Sequence, residues 1–353
     1  MSFVNELEPH VLLDAYATHM PHDFHVCSSV HDTPAFTTRF DLLTTADPGV
    51  QRRVRGWPGY RYWSRWLRPR TCFIGSNASE YAWLPGQVVP ERLAEDLVQR
   101  HASTQPFLIV KDIPHDSPLL EASDNTWNAA FAAALEQHGF VLLEGQALAW
   151  VPIDFASEDD YLAARSRGAR RDIRRKLRAR ADLEIEAVPC GSERFGDAAE
   201  LARFYALYEQ VQAQSEIQFD HLDAEFFRML LTDGDSNGVV FVYRHQARMI
   251  GWNLCYVHQG RLIDKYVGFD YPQSRTHNLY AISWMHNLDY ARRMGLRQYV
   301  AGWTDPEIKA HLGACFTFTR HAVRPRSGLL RFGLRRLARY FESDRQWYEG
   351  QAR

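Results

Sequence analysis

Three neighbouring polar side chains, Asp264, Lys265 and Tyr266, lie in RLIDKYVGF, a stretch that otherwise suits a β-strand. Residues two apart on a strand point to the same face, so we predict that Asp264 and Tyr266 share a face and that Lys265 takes the other. A carboxylate can accept a proton or orient an amine, and a phenol can donate a proton to a leaving group. Asp270, at the end of the strand, is a second candidate base. The alternatives are an ion pair of Asp264 with an arginine and a core position for Tyr266.

The elements that must position these groups run from Gly238 to Gly313. Three segments rich in β-branched and aromatic residues, separated by short turns, predict antiparallel strands: VVFVYRH, MIGWNLCYVH and RLIDKYVGF. Apolar residues then recur at helical spacing from Asn278 to Met294, Gly295 is the expected C-cap, and LRQYVAGW predicts another strand. A meander followed by a helix and a parallel strand makes a splayed sheet. An acyl thioester or ester can lie across such a sheet while an amine attacks it.

The composition narrows the classes of protein to be considered. The 353 residues are 46% hydrophobic and 13% aromatic, enough for packed cores and two domains. No run approaches the roughly 20 apolar residues of a membrane span, and the N-terminal MSFVNELEPH lacks the pattern of a leader peptide. Five scattered cysteines without a CxxC motif argue against zinc or disulfide frameworks and indicate a reducing cytoplasm. The histidines of PHDFHVC fit no standard zinc spacing, so we predict no metal.

The net charge of −2 conceals an asymmetry. Residues 1–150 carry 17 acidic and 11 basic side chains (−6), whereas residues 151–353 carry 26 and 30 (+4). Two basic runs, Arg165–Arg180 and Arg324–Tyr340, are either solvated helix faces or contacts for a polyanion. The polyanions considered are the phosphates of coenzyme A, an acidic carrier protein and tRNA. The candidate donor-binding residues of the first run are Arg171, Arg174 and Arg175.

The sequence divides near residue 154. We predict an N-terminal domain over residues 1–153, with a buried strand and a capped helix, and a second domain over residues 154–353. The second begins at a junction in which Ser157 is the expected N-cap. A tryptophan-rich segment at residues 56–70 places aromatic residues between arginines, which could stack on nucleic-acid bases. We favour an amphipathic helix whose inward-facing residues are Tyr60, Trp63 and Leu67.

Four passages resemble the GNAT-fold acyltransferase superfamily, and within it the FemAB-type aminoacyltransferases and their BioF2-like relatives. They are YLAARSRGARRDIRRKLR, IGWNLCYVHQGRLIDKYVGFD, SRTHNLYAISWMHNLDYARRMGLRQYVAG and EIKAHLG. The resemblance implies an α+β fold with a GNAT-like mixed sheet flanked by helices. The resemblance covers residues 154–353, which we expect to form a well-defined GNAT-like unit with a basic C-terminal helix. The strand–helix–strand core expected within residues 1–153 predicts a second, degenerate GNAT-like unit in tandem with it.

One departure from the family pattern concerns the acyl donor. GNAT enzymes hold the coenzyme A pyrophosphate on a glycine-rich loop at a helix N-terminus, where backbone N–H groups and the helix dipole meet the anion. The corresponding turn in this chain, Gln273–Asn278, contains no glycine. Its side chains are the candidate donor contacts: Ser274, Arg275, Thr276, His277 and Asn278. A bulkier donor, aminoacyl-tRNA or an acyl carrier protein, is as compatible as acyl-coenzyme A, and no tightly bound cofactor is implied.

The resemblance also points to Lys309, whose ammonium could neutralise a developing oxyanion or a donor phosphate. We therefore expect a cytoplasmic N-acyltransferase or aminoacyltransferase in which a small-molecule or peptide amine attacks an activated acyl group directly. The rival expectation is a catalytically degenerate fold whose basic helices hold RNA or an acidic partner. A third is an enzyme at the inner membrane face, with its C-terminal helix on anionic lipid. The residues of that helix that lipid would partly bury are Leu329, Leu330, Phe332, Leu334, Leu337 and Phe341.

Overall fold

The computed structural model describes residues 3–43, 48–214 and 220–337, together with residues 345, 348 and 350. The chain forms two compact units. Unit 1 comprises Met1–Glu6, Met20–Ala147 and Thr317–Arg353, and unit 2 comprises Leu7–His19 and Leu148–Phe316. The division predicted from the sequence is a single cut at residue 153. The structural units differ from it because a short N-terminal segment belongs to unit 2 and the C-terminal segment belongs to unit 1.

The described residues form strands and helices, each numbered in chain order. The strands are β1 (Phe3–Val4), β2 (His25–Val26), β3 (Ala35–Arg39), β4 (Arg70–Ile74), β5 (Leu84–Pro85), β6 (Phe107–His115), β7 (Val141–Pro152), β8 (Glu184–Pro189), β9 (Gly238–His245), β10 (Arg248–His258), β11 (Arg261–Phe269), β12 (Gln298–Val300) and β13 (Cys315–Pro325). The helices are α1 (Val11–Thr18), α2 (Pro48–Arg55), α3 (Tyr60–Trp63), α4 (Pro90–His101), α5 (Ala122–Gln137), α6 (Glu158–Ala163), α7 (Arg167–Leu177), α8 (Ala198–Gln214), α9 (Ala224–Thr232), α10 (Gln273–Thr276), α11 (Leu279–Arg293), α12 (Pro306–Leu312) and α13 (Gly328–Leu337). Within the described ranges, no helix is both long and apolar enough to cross a bilayer.

Unit 1 is organised around strands in the order β2, β3, β4, β6, β13 and the first part of β7. β4 and β6 are parallel, and β13 pairs antiparallel with β6 up to Pro325 opposite Phe107. This pairing ties the C-terminal segment to unit 1. Helices α4 and α5 contribute Leu97 and Phe131 to a buried core that also contains Ile74 of β4.

Unit 2 contains the meander that the sequence predicts. Its strands run in the order of the second part of β7, then β12, β11, β10, β9 and β8, and β11 and β12 form a parallel pair. The two hairpins turn at Gln246-Ala247 and Gln259-Gly260, where both residues of each turn have positive φ. Paired positive φ values are typical of type I′ turns, and Gly260 adopts this conformation without steric cost. The predicted helix before Gly295 is confirmed as α11.

Helices cover both faces of the unit 2 strands. On one face, Trp252 Nε1 donates to Phe204 O of α8 at 2.9 Å, and the Trp252 ring contacts Phe227 of α9. On the other face, Phe241 packs edge-on against His286 of α11, and α7 lies against α11. The predicted α+β class, a mixed sheet flanked by helices, is therefore confirmed.

The half-buried histidine of α11, His286, gives the fold a defined pH dependence. Burial lowers the pKa of His286 to about 4, and Arg293 adds to the shift. The folded protein keeps this imidazole neutral down to about pH 4, whereas the unfolded chain protonates it near the ordinary pKa of 6.5. The free energy of unfolding should fall by roughly 2–3 kcal/mol from pH 6.5 to 4.5 because of this group. Urea unfolding of His286→Phe should show a fall that is smaller by this amount, and parallel pH profiles would contradict the prediction.

Candidate active site

The candidate site lies where β11 and β12 separate. The two strands pair over a short stretch that ends with Ile263 opposite Val300. The next residues, Asp264 and Ala301, line a small cavity together with Lys309. The other lining residues are Val267, Tyr280, Ser283, Trp284 and Tyr299. The cavity has room for ≈ 20 Å³, enough for about one water molecule.

The carboxylate of Asp264 accepts three hydrogen bonds from neighbouring side chains. Asn253 Nδ2 donates to Oδ1 at 2.6 Å, while Tyr299 OH and Asn287 Nδ2 donate to Oδ2 at 2.7 and 3.2 Å. Asn287 Nδ2 also donates to Asn253 Oδ1 at 2.7 Å. Burial, and then the nearby Asp264 charge, raise the pKa of Tyr299 well above its ordinary value, so its phenol remains a donor. This set of donors suits an ionised carboxylate, which only accepts, and fixes its orientation.

The prediction that Asp264 and Tyr266 share a face is wrong, because β11 contains a β-bulge. Cys255 of β10 is opposite Asp264, and Leu254 is opposite Tyr266, so Lys265 is an extra residue between them. An extra residue in one strand breaks the alternation of faces along it. Asp264 therefore points toward α11, whereas Tyr266 points toward the helices on the other face of the sheet.

Tyr266 and Lys265, which follow Asp264 in β11, make contacts that are typical of structural side chains. The Tyr266 ring packs edge-on against Phe226 and Phe227 of α9, with centroids 5.5 and 5.4 Å apart. The Lys265 ammonium lies 3.5 Å from Glu8 Oε1, and both side chains are almost fully buried. The bulge thus places the Asp264 carboxylate and the Tyr266 phenol on opposite faces of the sheet, although the sequence predicts that they share one face.

This separation predicts the behaviour of Tyr266→Phe. If the protein catalyses the amide formation expected from its sequence, the variant should keep kcat/KM within about twofold of the wild-type value, because the lost hydroxyl lies away from the Asp264 cavity. A phenol that donates the proton to the leaving group would instead cost about 100-fold or more when removed. Steady-state kinetics of the purified variant distinguish these outcomes. A 100-fold loss in a folded variant would restore the catalytic role predicted for Tyr266.

Lys309 reaches the cavity from α12. Its side chain is buried, and the ammonium donates to the carbonyl oxygen of Ala301 at 2.6 Å. Helix α12 begins with Pro306, whose fixed φ and missing N–H suit the first helical position. It ends at Gly313, whose φ of 105° favours glycine. The short helix therefore holds the ammonium beside the point where β12 leaves β11.

Two side chains, one from α6 and one from the turn that follows α6, anchor the end of α12. Tyr161 OH donates to Leu312 O at 2.6 Å, and Arg165 Nη1 donates to Gly313 O at 3.0 Å. A Cβ atom at position 313 would collide with both side chains. Glycine at this position therefore allows both the positive φ at the helix end and the close approach of Tyr161 and Arg165.

Asp270 does not join the Asp264 cavity. Its buried carboxylate pairs with Arg248 at 2.6 Å. It lines a larger cavity of ≈ 400 Å³ formed with α8, which includes Glu200, Arg203 and Gln210. The structure therefore brings Asp264 and Lys309 to one cavity and leaves Asp270 at another.

The turn predicted to contact the donor has two kinds of side chain. Ser274 and His277 are buried, and the His277 ring lies 4.3 Å from that of His245. Arg275 and Thr276 are exposed on α10. Asn278 follows in the left-handed conformation, with φ 52°, and precedes α11. Only the exposed pair is placed to meet a large donor directly, and the buried pair supports the turn.

The predicted donor-binding arginines lie on the outer face of α7. Arg171, Arg174 and Arg175 are all exposed. Arg174 pairs with Asp159 at 2.8 Å and Arg175 with Asp172 at 2.5 Å. Helix α7 lies against α11 and α12, the helices that carry cavity residues. The arginines are thus on an element that adjoins the site, and two of them are already paired with carboxylates.

Sequence reasoning missed the two asparagines and Tyr299 that hold Asp264. A signal was present, because Asn253 is an amide inside an otherwise apolar strand and Asn287 lies among the buried residues of α11. Buried polar groups need partners, so polar residues at core positions of neighbouring elements point to one network. Within the described residues, no group of three or more histidine, cysteine or acidic side chains could hold a metal ion.

Comparison with known proteins identifies the family. Residues 112–322 match the profile of the FemAB-like family, which is described by peptidoglycan biosynthesis and recognition. The chain belongs to the FemAB-like family. The match covers more than half of this FemAB-like protein and includes Asp264 and Lys309. The GNAT-fold, FemAB-type resemblance predicted from the sequence is therefore confirmed.

Solved structures share the fold of this FemAB-like protein at low sequence identity. L-PGS from Bacillus licheniformis aligns over 97% of this chain and 99% of its own, with a TM-score of 0.53 and 8% identity. FemX aligns over 90% and 92%, with a TM-score of 0.52 and 11% identity. The C-terminal domain of an Agrobacterium fabrum protein assigned as a lysylphosphatidylglycerol synthetase aligns over 91% of this chain and 92% of its own, with a TM-score of 0.52 and 15% identity. No curated protein sequence matches. Family and fold together support acyl or aminoacyl transfer in general.

Proposed function

We propose that this FemAB-like protein is an N-acyltransferase or aminoacyltransferase that forms an amide bond by direct attack of an amine on an activated acyl group. The observation that carries the proposal is the meeting of Asp264 and Lys309 at the split between β11 and β12. One side chain supplies an oriented anion and the other a buried cation. Amide formation needs both, because an amine must be held for attack and negative charge develops on the carbonyl oxygen.

The proposed reaction assigns one role to each group. The amine nitrogen forms a bond to the acyl carbon, the bond from that carbon to the leaving oxygen or sulfur breaks, and the amine proton passes to the leaving atom. Three donors already stabilise the charged form of the Asp264 carboxylate, so its role is to accept a hydrogen bond from the amine and orient it. The Lys309 ammonium stabilises the oxyanion of the tetrahedral intermediate.

The proposed donor carries phosphate. Exposed Arg275 and Thr276 precede the N-terminus of α11, and exposed Arg171 lies on α7 beside α11. Arginine binds phosphate well because its planar guanidinium donates several hydrogen bonds at once. Aminoacyl-tRNA, acyl carrier protein and acyl-coenzyme A all provide such groups. FemX and L-PGS share the fold, and the family is described by peptidoglycan biosynthesis, so aminoacyl-tRNA with a peptide amine acceptor is tested first.

The experiment offers each donor class separately with a pool of small-molecule and peptide amines. Mass spectrometry of the acceptors should reveal a new amide product with one donor class. A protein whose basic helices only hold RNA or an acidic partner would bind a donor without giving product. Absence of product with every donor class, from folded protein, would favour that binding role and contradict the proposal.

A further inference from the structure

Two basic segments of unit 1 come together at one end of its strands. Residues 48–70, which lead into β4, contain seven arginines and no acidic residue. Residues 324–337, which finish β13 and form α13, contain five arginines and no acidic residue. The strand register joins them, because Thr71 of β4 and Pro325 of β13 are both opposite Phe107 of β6. The segments therefore leave the same end of the sheet, two strand spacings or about 10 Å apart.

Both segments also expose large apolar side chains. In the first, Trp57, Tyr62 and Trp66 are 55%, 65% and 75% exposed. In the second, Leu329, Leu330 and Phe332 are 85%, 55% and 58% exposed. Guanidinium groups lie among them: Arg61 stacks on Tyr62, and Arg336 stacks on Phe332. We call residues 48–70 and 324–337 together the basic edge.

The local structure of the basic edge differs in part from the prediction. The tryptophan-rich segment forms the short helix α3 and a 3₁₀ turn at Ser64–Leu67. Its predicted inward-facing residues, Tyr60, Trp63 and Leu67, are half-buried. In α13, Leu334 is half-buried, while Phe341 and the Leu337 side chain lie outside the described part of the chain. The exposed apolar residues are therefore a feature of the folded unit.

The exposed leucine side chains distinguish between the two kinds of polyanion that the basic edge could bind, nucleic acid and anionic lipid. Arginine attracts the phosphates of nucleic acid and of lipid alike, and tryptophan can stack on bases or lie at the level of lipid headgroups. Exposed leucine gains little from stacked bases, whereas the acyl region of a bilayer buries it. We propose that the basic edge binds the surface of a bilayer that contains anionic lipid, with Leu329, Leu330 and Phe332 inserted.

The test measures sedimentation of the full chain with vesicles. Vesicles of phosphatidylcholine with about 30% phosphatidylglycerol should bind the protein at least about tenfold more strongly than phosphatidylcholine alone. The double variant Leu329→Ser, Phe332→Ser keeps every charge and should lose about tenfold of that binding. The matched control is Val89→Ser, because Val89 is 63% exposed in the same unit. Val89 lies just before α4, a helix about 18 Å long whose other end leads to β6 and the basic edge. Because Val89 is at the far end of this helix, the Val89→Ser variant should bind as wild type.

Two results would overturn the proposal. One is absence of binding to the anionic vesicles, including the case in which the protein binds a short RNA instead. The other is unchanged vesicle binding by the double variant. Thermal melting of the variant should match that of wild type, because the replaced side chains are exposed. Vesicle binding needs no acyl donor, so its failure would leave the proposed transferase activity untouched.

Discussion

Asp264→Asn should lower kcat/KM for amide formation by about 10²- to 10⁴-fold. The substitution preserves the size of the side chain but removes the charge that we propose orients the amine. It also places an NH₂ donor among groups that are themselves donors: Asn253 Nδ2, Asn287 Nδ2 and Tyr299 OH. The measurement is steady-state kinetics with the donor and acceptor that give product.

The matched control for this variant is Asp270→Asn. Asp264 lies in β11 and is partly buried, and Asp270 directly follows β11 and is buried. Asp270, however, pairs with Arg248 at the larger cavity. Asp270→Asn should therefore retain kcat/KM within a fewfold of wild type. Thermal melting separates catalysis from folding, since loss of the charged acceptor should cost Asp264→Asn about 1–3 kcal/mol of stability. Equal losses of activity in the two variants would contradict the role of Asp264.

Lys309→Met should lower kcat by about 10²- to 10³-fold and change KM for the donor little. Methionine fills a similar volume, so the change removes the ammonium and its hydrogen bond to Ala301 O. An oxyanion forms only during the reaction, and a group that stabilises it therefore acts on kcat. A lysine that bound a donor phosphate in the ground state would act on KM instead.

Lys265→Met controls for the loss of a buried lysine. Its ammonium meets Glu8 rather than the cavity, so the folded variant should keep its kcat while its stability falls. A raised KM with unchanged kcat in Lys309→Met would contradict the oxyanion role and assign Lys309 to donor binding. The two lysines thus distinguish a catalytic cation from a structural one within a single unit.

Much of unit 2 could be predicted from sequence because its signals are local. The hairpins have short turns, one of which contains Gly260. Helix α11 shows a clear apolar stripe, and Gly313 ends α12 four residues after Lys309. Ser157 is confirmed as the N-cap of α6, accepting from Asp160 N at 3.1 Å. Each of these features depends on residues within about one helical turn or hairpin of each other.

What sequence reasoning could not supply depends on contacts between distant segments. The bulge at Lys265 is set by pairing with Cys255 and Leu254, and a strict two-residue period cannot reveal it. The Asp264 network joins β10, β11, α11 and β12, so its members become neighbours only in the folded chain. The same applies to β13, whose pairing with β6 assigns the C-terminal segment to unit 1.

The most direct test of the central claim is mass spectrometry of the acceptor amine after incubation with donor and enzyme. Wild type and Asp270→Asn should both give the amide product. The double variant Asp264→Asn, Lys309→Met should give none above background while it remains folded. Product at the wild-type level from the double variant would show that amide formation takes place elsewhere and would contradict the assignment of the cavity between β11 and β12 as the active site.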